Sequence, residues 1–228
     1  MTEPYRPEAL AGNLAHISKS IDAAMIEHGL ETPRPQVIAV SKRFHANQIR
    51  PLLEAGHHVF GENRVQEAQE KWPALKTEFP KTELHLIGQL QSNKAEEAVA
   101  LFDVIQTVDR PKLARKLKDA MDKLDRHPAF FLQVNTGNEP QKGGVALDDL
   151  ADLLAYCRDE LALDIAGLMC IPPADDDPAL HFALLNKLAR RHGLAKLSMG
   201  MSADYEIAAV MGATYVRVGT AIFGTRPA

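Results

Sequence analysis

Residues 35–45 read PQVIAVSKRFH, and this stretch decides what kind of sheet the chain builds. Val37, Ile38, Ala39 and Val40 form an unbroken apolar run, as expected of a strand buried on both faces; such strands belong to parallel sheets covered by helices. Ser41 and Lys42 end the run. Side chains alternate along a strand, so Lys42 shares a face with Val40 and Ile38 and its ammonium follows them toward an interior. Two readings stand at this point: Lys42 snorkels to the surface at an ordinary strand end, or it belongs to a site.

Working outward, the same type of short apolar run recurs seven times: HHVFG (57–61), LHLIG (84–88), DVIQTV (103–108), AFFLQVN (129–135), IAGLMCI (165–171), KLSMGM (196–201) and TYVRVGT (214–220). Helical patterns lie between them. Ser92 precedes NKAEEAVALF, Pro111 opens PKLARKLKDAMDKLD, and LDDLADLLAYCRDE fills 147–160. Before the first strand, Leu10, Leu14, Ile17, Ile21 and Met25 are spaced for an amphipathic helix over 8–28 that stops at Gly29. Eight strands alternating with helices predict an α/β fold, a single (β/α)8 TIM-type barrel with an extra N-terminal helix, as one domain spanning 1–228. A doubly wound sheet is the alternative, but no G-x-G-x-x-G follows the first strand.

The bulk composition narrows the function classes. The chain has 228 residues, 46% of them hydrophobic and 25% charged, with a net charge of −4. That is the balance of an ordinary globular protein, without the basic footprint of a nucleic-acid or membrane-surface binder. Cys157 and Cys170 are too few for a disulfide framework or a zinc site and read as small buried hydrophobes. The polar opening MTEPYRPEAL carries no apolar signal core and no run is long enough to span a bilayer, so a cytoplasmic protein is expected.

Barrels of this type gather their chemistry at the C-terminal ends of the strands. Polar residues there are Lys42, Glu62, Asn63, Gln89, Gln91, Thr107, Asn135, Ser202, Gly219 and Thr220. After the seventh strand Gly200 frees the backbone and Ser202 precedes a helix expected near Ala203. After the eighth, Gly219 and Thr220 offer backbone N–H groups and a hydroxyl. Taken singly these are a plain N-cap and a turn glycine; side by side they suggest a phosphate cup. A lysine in an apolar barrel mouth loses solvation and becomes an amine able to form a Schiff base. Pyridoxal 5′-phosphate would use both ends of such a site, and so would the substrate of a Schiff-base sugar-phosphate aldolase.

The motifs AVSK (39–42), GEN (61–63), HLIGQLQSNK (85–94), GLM (167–169), LSMGMSAD (197–204) and VRVGTAIFG (216–224) occur in this order. In them the chain resembles the pyridoxal phosphate homeostasis proteins, which share the fold type III barrel of the alanine racemase N-terminal domain. The resemblance implies that Lys42 carries the cofactor as an internal aldimine, that Ser202, Gly219 and Thr220 hold its phosphate, and that Asn63 and His85 lie near its ring. By analogy with the racemases, Arg217 sits beside the pyridine nitrogen; otherwise it pairs with a carboxylate inside the barrel. An arginine there makes the ring a poorer electron sink.

The racemases add a β-rich domain that supplies a tyrosine base, whereas this sequence ends at Ala228. The resemblance therefore implies a non-catalytic carrier or buffer of the cofactor in vitamin B6 homeostasis, expected to be a monomer and to serve PLP-dependent apo-enzymes. A PLP-dependent racemase or lyase using His85, Tyr205 or Cys170 as base is the alternative. The segment NTGNEPQKGGVALDD (135–149), containing Lys142 and Gly143, reads as an exposed loop, or else as a lid. PPADDDPA (172–179) lacks the alternating ligands of a calcium loop and reads as a solvated turn before a helix near Pro178.

Overall fold

The computed structural model describes residues 7–31 and 33–224. The first six residues of the polar opening and the last four of the chain lie outside the described residues. Eight parallel strands close into a barrel in sequence order: β1 (Gln36–Val40), β2 (Val59–Glu62), β3 (Glu83–Leu86), β4 (Val104–Val108), β5 (Ala129–Val134), β6 (Ile165–Cys170), β7 (Lys196–Ser198) and β8 (Tyr215–Val218). β8 pairs with β1 through Gln36 to Ala39 opposite Tyr215 to Val218, which closes the ring and leaves no free sheet edge. The fold is the expected TIM-type barrel.

The period-2 alternation divides each strand between two cores. Ile38, Val59, Val104, Phe131, Met169 and Tyr215 fill the barrel interior, whereas Val37 and Ala39 join the larger outer core beneath the helices. Both faces are buried, which is why the strands read as continuous apolar runs.

The helices are α1 (Pro7–Glu27), α2 (Ala46–Glu54), α3 (Val65–Glu78), α4 (Ala95–Leu101), α5 (Pro111–Leu124), α6 (Leu150–Ala155), α7 (Pro178–Arg191), α8 (Tyr205–Val210) and α9 (Thr220–Phe223). The extra helix α1 buries Leu10, Ile17, Ile21 and Met25, each contributing about 1.5–3 kcal/mol relative to exposure. It ends in a Schellman arrangement: Gly29 takes positive φ, and Leu30 N–H bonds Met25 O at 2.9 Å. α1 packs against α2, α8 and α9 on the outside of the β8–β1 seam.

Three helix starts or ends differ from the sequence reading. Ser92 lies inside a 3-10 turn, Ser92–Lys94, ahead of α4. The α6 pattern relaxes into a π turn over Tyr156–Glu160. The helix after Ser202 begins at Tyr205, because Asp204 Oδ1 accepts the Met201 N–H at 2.5 Å and tightens the turn before it.

Candidate cofactor site

The turn that carries Lys42 is held from behind. Lys71, a buried residue of α3, donates to Ser41 O and Phe44 O, both at 2.9 Å, and so bridges the two sides of the Lys42–Arg43 turn. The same ammonium lies 2.9 Å from Glu62 Oε1 and 3.0 Å from Glu67 Oε1. Glu62 Oε1 also accepts from Ser41 Oγ at 2.5 Å and Trp72 Nε1 at 2.9 Å. Arg43 adopts positive φ, a conformation costly for a residue with a Cβ, and its N–H bonds Glu67. Phe44 stacks on Phe223 of α9 with ring centroids 4.4 Å apart. Burial pushes the Glu62 carboxyl above its usual range; Lys71, Ser41 and Trp72 oppose that shift.

Glu62 is thus a strand-end polar residue that faces α3 and not the barrel mouth. Its neighbour Asn63, one residue on, faces the mouth. The roles of Lys71 and Trp72 were not legible in QEAQEKWPAL, where a lysine reads as a solvated helix face; the Glu67–Lys71 spacing of one helical turn was the one available signal.

At the C-terminal ends of the strands a cleft of about 320 Å3 opens, within the range of small-ligand pockets. Lys42 and Val40 line it from β1, Asn63 from β2, Ile87 from β3, and Ile171 from β6. The rest of the lining is Met201, Ser202 and Ala203 after β7 with Arg217, Gly219 and Thr220 of β8 and its turn, β8 being the strand next to β1. Lys42 follows Ile38 and Val40 to the interior side, as the alternation requires. Larger concavities of about 470 and 510 Å3 lie outside this cleft, one behind the Arg43–His45 turn against Glu67, Glu70 and Lys71 of α3, the other lined by Asn186, Ala189 and Arg190 of α7 with Leu197 and the turn before β8.

Between the β7 and β8 turns, Ser202 Oγ accepts from Gly219 N and Ala221 N, each at 3.4 Å. These long bonds gather one hydroxyl and two backbone donors at a single point. Gly200, with φ of +87°, makes the turn between β7 and Ser202; a Cβ there would sit 2.4 Å from the Ala208 methyl. Arg217 is buried, and its bonded partners are the Ser198 hydroxyl at 2.8 Å and the Cys170 carbonyl at 2.7 Å. Burial lowers this guanidinium's pKa, and Cys170 and Asp204 act in the opposite direction.

Six of the seven expected site residues, Lys42, Asn63, Ser202, Arg217, Gly219 and Thr220, line this one cleft. His85 lies deeper in the interior, fully buried, with Nε2 2.6 Å from Glu83 Oε1 and Nδ1 2.8 Å from Gln106 Nε2. Tyr205 and Cys170 belong to the outer hydrophobic core. Burial pushes the Cys170 thiol up to about 12.

The segment after β5 is tied down. Asn135 and Glu139 exchange two hydrogen bonds, Lys142 pairs with Glu139 at 2.7 Å, and Gln133 reaches Gly143 O at 3.1 Å. The acidic tract ends with Asp177 capping α7 through the Ala179 N–H, and no cluster of metal-ligating side chains occurs among the described residues.

The residues present suit a phosphorylated aldehyde: one cleft holds an amine, a hydroxyl with backbone N–H groups beside it, and apolar Ile87 and Met201. Comparison with known proteins agrees. Residues 13–227 match the sequence profile of the alanine racemase N-terminal domain. The pyridoxal phosphate homeostasis protein of Escherichia coli K12 is 35% identical over 95% of this chain and 97% of its own length. That of Aquifex aeolicus is also 35% identical, over 93% and 96%. The solved structure of PipY from Synechococcus elongatus PCC7942 with PLP bound is 39% identical, has a TM-score of 0.77 and covers 90% of this chain and 100% of that one. Alanine racemase from Corynebacterium glutamicum, at 16% identity and a TM-score of 0.70 over 97% of this chain and 61% of its own, shares the fold. The chain belongs to the family of pyridoxal phosphate homeostasis proteins, built on the alanine racemase N-terminal domain.

Proposed function

We propose that this chain binds pyridoxal 5′-phosphate in the barrel-mouth cleft and carries or buffers it within the cell, as part of vitamin B6 homeostasis. Lys42 Nζ bonds the cofactor's aldehyde carbon as a Schiff base. Ser202, Gly219 and Thr220 hold the phosphate, Asn63 and Arg217 flank the ring, and His85 acts on it from below through other side chains. When bound, the cofactor supplies a carbonyl that condenses reversibly with amines. The observation that carries the reading is that Lys42 and the Ser202–Gly219 group line one and the same cleft. The name of the relatives and the PLP-bound PipY structure support it.

Carriage in preference to catalysis is supported by the engagement of the three candidate bases. Both His85 ring nitrogens are bonded, Cys170 is held as a thiol, and Tyr205 packs in the outer core. The proposal includes a monomer working in the cytoplasm and supplying PLP-dependent apo-enzymes. Borohydride reduction of the loaded protein followed by peptide mapping tests the attachment. Label on the Lys42 peptide is expected; label confined to another lysine, Lys142 for instance, contradicts it.

A further inference from the structure

Five polar side chains cross the barrel interior in one line, from a carboxylate at the N-terminal rim to the guanidinium at the mouth. Arg217 Nη1 donates to Ser198 Oγ, which donates to Gln106 Oε1 at 2.6 Å; Gln106 Nε2 meets His85 Nδ1, and His85 Nε2 meets Glu83 Oε1. Ser198, Gln106 and His85 are fully buried, whereas the Glu83 side chain is about 40% exposed at the first residue of β3. Beside the line, the Tyr215 ring lies edge-on to His85 at 5.2 Å and to Phe131 at 5.9 Å, and the Lys196 ammonium lies 6.0 Å from the same Tyr215 ring.

The chemistry of the two ends sets the direction of the whole line. A guanidinium has donors only and an ionised carboxylate acceptors only. Every member between must accept from the Arg217 side and donate toward Glu83. The Ser198 hydroxyl has one hydrogen, and it goes to Gln106 Oε1. Gln106 then presents its NH2 to His85, which leaves Nδ1 bare and places the ring proton on Nε2. Reversing any buried member would set two donors or two acceptors face to face, at a cost of about 1–3 kcal/mol for each unsatisfied group. The bond from His85 holds the Glu83 carboxyl below its usual range, consistent with its acceptor role.

We propose that Glu83, His85, Gln106 and Ser198 are positioning residues for Arg217. Together with the Cys170 carbonyl that accepts from Nη2, the line fixes which N–H groups of the guanidinium are spent inside the barrel and so keeps the remaining ones for the cleft, where the cofactor ring meets a donor. The inference rests on the proposed cofactor site. A direct consequence is that loading the cleft is sensed at His85, although His85 does not line it.

Nitrogen NMR of the His85 imidazole tests this in the intact protein. The Nε2-protonated tautomer is expected before loading, and adding pyridoxal 5′-phosphate shifts the Nδ1 signal. In Gln106→Leu the yellow imine band is retained and the His85 response is lost. Glu83→Ala removes the acceptor of the His85 Nε2–H and shifts the Nε2 signal, and Glu83→Gln, which keeps an acceptor, restores it; this pair carries the test from the exposed rim if Gln106→Leu does not fold. An Nδ1-protonated ring, an unresponsive His85 in a protein that shows the imine band, or an equal response in Gln106→Leu overturns the inference. Absence of the imine band overturns the cofactor reading instead, while the tautomer in the unloaded protein and the Nε2 signal of the Glu83 variants still decide the line itself.

Discussion

The Lys71 ammonium lies 2.9 Å from the Glu62 carboxylate, and both side chains are buried behind the turn that carries Lys42. Because the same ammonium binds the carbonyls of Ser41 and Phe44, this ion pair fixes the backbone on either side of the proposed attachment point. Removing one partner of a buried pair leaves an uncompensated charge and costs about 3–5 kcal/mol. Lys71→Met is therefore expected to lose stability on that scale in urea unfolding and to weaken cofactor retention. Adding Glu62→Gln to it should recover part of the stability, a coupling that a double-mutant cycle measures. Strict additivity of the two substitutions would show that the pair does not act as a unit.

The pH dependence of stability follows from Glu62. Its folded pKa lies above the ordinary value of 4.5 because burial disfavours the carboxylate. Between that value and the raised one the folded state binds more protons than the unfolded state, so this group's contribution to stability falls as pH rises. Glu83 has the opposite sign: its lowered folded pKa adds stability above the ordinary carboxylate range, which is lost as pH falls through the lowered value. Urea unfolding of wild type and Glu62→Gln at a series of pH values above 4.5 should show the wild type declining relative to the variant. A relative rise would mean that Lys71 outweighs burial.

Much of this was legible in the sequence. VIAVS and its seven counterparts mark the strands because a barrel strand is buried on both faces, and alternation from Ile38 through Val40 sends Lys42 inward. The cleft residues Ser202, Gly219 and Thr220 were accessible because small and polar residues cluster at strand ends seven and eight. What the sequence could not show is which way a polar residue turns where alternation meets a loop. Glu62 turned out toward α3, and Lys71, one helical turn from Glu67, proved to be the clamp. The interior line was equally hidden, since Gln106 and Ser198 lie in runs that read as apolar strands and, though bonded to each other, are 92 residues apart.

Gly88 sets the spacing between the ends of β3 and β2. A Cβ on it would lie 2.2 Å from Asn63 O and 2.7 Å from Asn63 Cα, backbone atoms that must move to admit it. Gly88→Ala is expected to cost about 1–3 kcal/mol through overpacking and to displace Asn63 from the cleft. Weaker cofactor binding at unchanged stoichiometry, measured by fluorescence titration, checks this. Wild-type affinity together with wild-type stability would show that the strand ends yield freely.

The two cysteines should be inert. Cys157 and Cys170 are buried, and loss of solvation pushes both thiols up to about 12, so thiolate is scarce at neutral pH. Native protein is expected to react slowly with a disulfide reagent such as DTNB, and urea-unfolded protein rapidly at both positions. Fast labelling of Cys170 in the native state would revive it as a chemical group near Arg217.

The most direct test of the central claim is the visible absorption spectrum of wild type beside Lys42→Ala, each incubated with pyridoxal 5′-phosphate and desalted. The account predicts a yellow imine band that stays with the wild type and is lost from the variant. A band kept equally by both, or by neither, would contradict Lys42 as the point where this barrel holds its cofactor.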